Sequence, residues 1–206
     1  MTKDKKFIVG FDLDGVIASP LFDGIAINIR ILKEHLLRLL GRERDYFYPQ
    51  SKIERWAWVR LNRLREPTVT AAGLSNLKNT GQVSIFLITS RFKFLEEETY
   101  RWIHRYHLES VFDKIYINNT NLSPVDFKSK ILNENSIDYY LDDDLEILEG
   151  LRGKVKTRIY RLGKPGRRDS GIEGVKSVTD FIEMRTTRMT DARPQGILKL
   201  QELLED

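Results

Sequence analysis

Short apolar runs, each closed by turn-forming residues, alternate along most of this 206-residue chain with longer stretches whose apolar positions recur at helical spacing. Such runs suit strands buried on both faces of a sheet, and the helices between them carry the chain back to start the next strand in parallel. The alternation predicts an α/β fold with a mostly parallel sheet. Strands are expected over 7–11, 83–89, 114–118, 139–141 and 155–162, and helices over 95–106, 125–134 and 145–151. Ser123-Pro124 suits a helix start, with a capping hydroxyl followed by proline in the first turn.

The period changes after the first strand. Residues 18–80 show no strand pattern and are expected to be helical throughout. Ile29, Leu32, Leu36, Leu39 and Leu40 would line one face of a helix over 25–40 that stops at Gly41, a second helix would surround Trp56 and end before Pro67, and a third would cover 70–77. The expected organisation is an α/β core from residues 1–17 and 81–185, a small helical cap from 18–80 inserted after the first strand, and a linker followed by a C-terminal helix in 186–206.

Composition removes several kinds of chemistry. With no cysteine there is no disulfide, no thiolate zinc site and no thiol nucleophile, which leaves oxygen, nitrogen or a hard metal ion. No window reaches the roughly 18 apolar residues of a membrane helix, and the charged N-terminus lacks the apolar core of a secretory signal. A cytoplasmic protein without a membrane partner is expected. The net charge of +4 favours anionic partners.

Chemistry-bearing residues cluster where strands end. The first strand runs into Asp12-Leu13-Asp14-Gly15, where alternation along an extended chain would put both carboxylates on one side. Their mutual repulsion asks for a divalent cation or a shared proton, although two aspartates before a glycine also suit a simple turn. The second strand ends in Thr89-Ser90-Arg91, a set able to hold a phosphate oxygen or to cap a helix. Asp142-Asp143-Asp144 follow another strand, where they would open a helix or supply oxygen ligands to Mg²⁺. Lys128 and Lys130 lie on the preceding helix. In open α/β sheets the functional crevice lies beyond the carboxyl ends of the strands, so the shared placement of these clusters carries more weight than any one of them.

The ordered set Asp12-Leu13-Asp14-Gly15, Thr89, Lys128 and Asp142-Asp143 resembles the haloacid dehalogenase-like (HAD) superfamily of phosphatases. The match spans approximately residues 5–163, and the helical segment after the first motif falls where that superfamily carries its smaller cap. Within it the chain looks most like the 5'-nucleotidase (deoxyribonucleotidase) type C branch. The resemblance implies a Rossmann-like core, Asp12 as the nucleophile that becomes an aspartyl-phosphate, and Asp14 as acid and base. It further implies Mg²⁺ held by Asp12, the backbone carbonyl of Asp14, Asp142 and Asp143, with Thr89, Ser90 and Lys128 on the phosphate. Lys130 competes with Lys128, and Asp144 leaves open which two of the three aspartates face the metal.

A small phosphorylated substrate is expected, such as a nucleoside 5'-monophosphate. The cap is basic, and Tyr46, Phe47, Tyr48, Trp56 and Trp58 would stack a base or build the cap's own core; Tyr46, Trp56 and Arg91 are the substrate contacts assigned here. Residues 150–168 are basic with no acidic member, which suits a protected strand edge or a track for nucleic acid. The alternatives are therefore a phosphatase acting on polynucleotide ends and a non-catalytic module of the same fold that binds RNA or protein.

Overall fold

The computed structural model describes residues 6–20, 49, 51–79, 83–120, 122–163 and 171–191. The expected helix over 25–40, Tyr46 with its aromatic neighbours, the basic residues 164–168 and the last helix fall outside them. Eight strands and six α-helices are described. Strands β1 (Phe7–Phe11), β4 (Val83–Phe92), β5 (Lys114–Asn118), β6 (Tyr139–Asp142), β7 (Arg158–Leu162) and β8 (Glu173–Val175) form one sheet in the order β5-β4-β1-β6-β7-β8. Every pairing in it is parallel.

The chain builds outward from β1 through β4 to β5, then crosses back to lay β6 on the other side of β1. Neighbouring connections diverge on either side of β1, which opens a crevice at its carboxyl end. Helices α2 (Ala71–Asn79), α3 (Glu96–Arg105) and α6 (Val178–Asp191) belong to one side of the sheet, and α4 (Pro124–Glu134) and α5 (Leu145–Leu151) to the other. Alternation sorts the strand residues between them. Val9, Phe11, Ile85, Leu87 and Leu141 join Leu74, Leu77, Trp102, Ile103 and Phe181 in one core cluster. Phe86, Ile88 and Tyr140 join Phe127, Ile131, Leu132, Leu148 and Leu151 in the other.

The expectation that 18–80 is wholly helical is corrected. Helix α1 (Lys52–Arg63) is present, opened by a capping box between Ser51 and Glu54, but Ala18–Pro20 (β2) and Arg65–Pro67 (β3) pair as antiparallel strands that form the stem of the insert. Proline hides such strands from pattern reading, because it is tolerated only where its missing N–H is not needed. By its packing α2 goes with the core, since Leu74 and Leu77 lie in the same cluster as β1 and β4. Strand β4 runs on through Phe92 past an irregularity after Thr89, β7 begins at Arg158 rather than at 155, and β8 is an addition to the expected set. Helix α6 reaches Asp191, through the first part of the stretch expected to be linker.

Candidate active site

Parity along the strands decides which functional side chains meet. Tyr140 faces the α4–α5 side, so Asp142, two residues on, faces it too, and there it meets Lys128 of α4. Asp12 follows β1 with its N–H donating to the Leu141 carbonyl at 2.9 Å, which locks the end of β1 to β6. The buried Lys128 ammonium lies 2.9 Å from Asp12 Oδ1 and 2.7 Å from Asp142 Oδ2. Asp142 also accepts from the Tyr140 hydroxyl at 2.9 Å and from the Asp144 N–H at 3.1 Å. The two carboxylates are thus bound to one cation, and residues 130 apart in sequence share one small volume.

Asp143 completes the group, with one carboxylate oxygen from each of Asp12, Asp142 and Asp143 lying within 4.8 Å of the others. Gly15 makes that approach possible. Its φ is +85°, and a Cβ built there would stand 2.1 to 2.6 Å from the Asp143 carboxyl atoms, a space that only glycine leaves open. Asp144 is occupied elsewhere: its side chain accepts from the N–H groups of Glu146 and Ile147 and caps α5. Lys130 is exposed and faces Glu134. The two alternatives left open by the sequence are therefore separated by geometry, with Lys128, Asp142 and Asp143 inside the pocket and Lys130 and Asp144 outside it.

Asp14 comes near enough to Asp12 for its charge to push that carboxyl upward, but it is held in a different way. The extended chain ends at Phe11, and residues 13–18 close a tight loop in which the N–H groups of Ile17 and Ala18 both donate to the Leu13 carbonyl. The Asp14 carboxylate lies outside the group of three and is held by arginines: Arg91 Nε and Nη2 reach its two oxygens at 2.8 and 2.6 Å, and Arg65 Nη1 lies 3.1 Å from Oδ1. Arg91, assigned to substrate from the sequence, is instead 2% exposed at its side chain and engaged by Asp14 and by the Thr99 hydroxyl.

Thr89 is buried two residues beyond Leu87, the partner of Phe11, and its hydroxyl accepts from the Arg91 N–H at 3.3 Å. Ser90 is half-buried beside it. Trp56 stands exposed on α1 with the Arg60 guanidinium 5.2 Å above its ring. Trp58 meets the ring of Phe92 edge-on at 6.5 Å, so α1 stands over the carboxyl end of β4. Tyr46 lies outside the described residues.

Electrostatics divide the pocket in two. Burial pushes the Asp12 carboxyl well above the ordinary carboxylate range; Lys128 opposes the shift, while Asp142, Asp14 and Asp143 add to it. Asp143 reaches solvent at the mouth, yet partial enclosure and then the charge of Asp142 raise its pKa to about 6. Burial alone would depress the Lys128 ammonium, but Asp12 and Asp142 outweigh it and hold its pKa above the usual lysine value. Enclosure alone would raise Asp14 as well; there Arg91 and Arg65 prevail and hold it at about 2. Three carboxylates offset by one ammonium form an all-oxygen donor set with excess negative charge, which fits a hard divalent cation such as Mg²⁺. Asp12, Asp142 and Asp143 are the side chains that would hold it.

Arg65, Thr99 and Tyr140 are parts of this arrangement that sequence reasoning missed. Tyr140 carries a signal, since it stands two residues before Asp142 and must share its side of the sheet. Arg65 and Thr99 carry none, because they meet the site only through folding.

No protein-family model matches the chain, and no curated protein matches it. Solved structures do, with 86 chains matching. YfnB from Bacillus subtilis, assigned to the HAD hydrolases and solved bound to magnesium, gives a TM-score of 0.59 at 13% identity, covering 87% of this chain and 98% of its own. CbbY from Rhodobacter sphaeroides, solved in complex with phosphate, gives 0.55 at 17% identity over 86% and 95%. A HAD hydrolase of family IA, variant 3, from Entamoeba histolytica gives 0.54 at 14% identity over 86% and 98%. The six-stranded α/β architecture is thus shared with HAD-superfamily hydrolases. Among the described residues no helix is long and apolar enough to cross a membrane.

Proposed function

We propose that this protein is a Mg²⁺-dependent phosphomonoester hydrolase that works through an aspartyl-phosphate on Asp12. The observation that carries the reading is the meeting of Asp12, Asp142 and Asp143 at the crevice, with Lys128 bound to the first two. An Asp12 carboxylate oxygen attacks phosphorus, the ester P–O bond breaks, and the leaving oxygen takes a proton from Asp14. Water then attacks the aspartyl-phosphate and gives a proton to Asp14, and the Asp12–phosphorus bond breaks to release inorganic phosphate. Mg²⁺ bound by the three aspartates, with the backbone carbonyl of Asp14, would hold Asp12 ionised against its burial and offset charge on the phosphate.

Asp14 starts as a carboxylate, its pKa held at about 2. The anionic phosphate ester arriving beside it opposes the arginine field and so favours the protonated form needed for the first step. Lys128 supplies a fixed positive charge, and Thr89 and Ser90 supply hydroxyls at the end of β4.

The substrate that fits best is a small phosphorylated metabolite such as a nucleoside 5'-monophosphate, as in the 5'-nucleotidase branch. Trp58, Phe92 and Phe94 form an aromatic patch with the Arg55 guanidinium 5.7 Å over the Phe94 ring, and Trp56 adds an exposed ring on the same helix as Trp58. These support a contact with a flat base. The decisive assay compares the wild-type chain with Asp12→Asn on p-nitrophenyl phosphate with Mg²⁺. Turnover lost in the variant is the expected result, and equal rates remove Asp12 as the nucleophile. A panel of nucleoside monophosphates against sugar phosphates tests the substrate class, where indifference to the base counts against a nucleotidase.

A further inference from the structure

We infer that Arg91 and Arg65 are positioning residues that fix how Asp14 is presented to the leaving group. A carboxylate offers about four lone-pair sites on its two oxygens. Among the described residues, Arg91 Nη2 donates to Oδ1 at 2.6 Å and Arg91 Nε donates to Oδ2 at 2.8 Å, while Arg65 Nη1, which donates to the Ala18 carbonyl at 3.3 Å, brings its charge to 3.1 Å from Oδ1. Each oxygen thus accepts one hydrogen bond from Arg91 and keeps room for a proton. A two-pronged guanidinium contact also fixes the plane of the carboxylate, as a point charge would not.

Both arginines are themselves held. Arg91 Nη1 donates to the Thr99 hydroxyl at 3.1 Å, and that hydroxyl donates to the Leu95 carbonyl at 2.9 Å, which ties the guanidinium to the start of α3. Arg65 lies on the stem strand β3, yet its carbonyl accepts from Trp102 Nε1 at 2.9 Å and from the Tyr106 hydroxyl at 3.3 Å, both at α3. Next to it, the Arg63 guanidinium meets Glu98 of α3 with two hydrogen bonds. The stem strand is therefore anchored to the core helix, and α3 is the common support that sets where the acid points. An acid misplaced by an ångström loses much of its effect, so such support bears directly on rate.

The inference rests on the phosphatase reading, and its test separates the two. Protonation matters little for p-nitrophenolate, a good leaving group, and a great deal for an alkyl ester such as a nucleoside 5'-monophosphate. General acid catalysis contributes about 10²- to 10⁴-fold, so Arg91→Lys should lose about a hundredfold or more in kcat/KM on the alkyl ester and less than about tenfold on p-nitrophenyl phosphate, because kcat/KM ends with departure of the alcohol and leaves out the hydrolysis step that both esters share. Arg65→Lys should show the same selectivity with a smaller loss. Thr99→Val keeps the shape and charge of the site, and guards against a fold defect in the Arg91 variant; it should also lose more on the alkyl ester. In an Asp14→Asn background, Arg91→Lys should add nothing further, because the group it positions is already gone. Equal losses in kcat/KM on both esters, or additive losses in the double variant, would overturn the positioning role while leaving the phosphatase reading intact. Failure of the wild-type chain to turn over either ester with Mg²⁺ would overturn both.

Discussion

Replacing Lys128 with Met removes the one ammonium bound to both Asp12 and Asp142 and leaves a side chain of similar length. In the folded state the two carboxylates then lose a counter-ion held at 2.9 and 2.7 Å in a site where the lysine side chain is 2% exposed. Removing one partner of a buried ion pair costs about 3–5 kcal/mol. For a chain of this size each kcal/mol moves the melting temperature by about 2–4 °C, so the variant should melt roughly 10 °C below wild type at pH 7 in EDTA. Protonation limits the loss, because Asp12, already pushed upward by burial, takes a proton more readily once the ammonium is gone. The deficit should therefore shrink towards pH 5. Adding Mg²⁺ should raise the melting temperature of the variant more than that of wild type, since a dication there faces carboxylates with no competing ammonium. Thermal unfolding followed by circular dichroism, at the two pH values with and without Mg²⁺, measures all three effects. A variant that melts within about 2 °C of wild type in EDTA would refute the argument that Lys128 is the counter-ion of a buried acidic pair.

Gly15→Ala should impair the ion site directly. The alanine must adopt a φ near +85°, at about 1–2 kcal/mol, and its Cβ must displace the Asp143 carboxyl. A loss of about tenfold or more in Mg²⁺ affinity by titration calorimetry is expected, and unchanged affinity would show that Asp143 is not a ligand. The pH dependence of stability gives a second test. Asp143 has a folded-state pKa raised to about 6 from an ordinary 3.8, so the folded protein binds the extra proton. Its contribution to stability is present below about pH 4 and is lost as the pH rises through 6. In EDTA, Asp143→Asn should gain melting temperature relative to wild type across that interval and keep the gain above it; parallel curves would contradict the shift.

Much of this arrangement is legible along the chain because a parallel sheet delivers the ends of its strands to one edge. Acidic residues just after apolar runs, as at Asp12 and Asp142, could be assigned to a common crevice before any geometry was known. The strand at Lys114–Asn118 and the helix at Leu145–Leu151 follow from their flanking turns and apolar spacing. What the chain conceals has physical reasons. The stem strands Ala18–Pro20 and Arg65–Pro67 are three residues long and each ends in proline, so neither has a period to read. Glu173–Val175 is equally short and depends on pairing with β7. The turn at Asp14 escapes the rule of alternation because the extended backbone stops before it. Its partner Arg91 lies 77 residues away, and Thr89-Ser90-Arg91 read alone suits a phosphate as well as a carboxylate.

Alternation along β4 and β6 also separates two tasks. Asp142 and Lys128 sit towards α4, whereas Arg91 leans on α3 across the sheet, so the acidic group and the arginine that holds Asp14 have different scaffolds. If Asp14 is the proton donor proposed above, substitutions in α3 should act first on its orientation and changes in α4 first on the acidic group, while the charges of Asp14 and Lys128 keep the two linked. On that reading, a protein engineer would reach leaving-group preference first through α3, with a smaller echo at the acidic group.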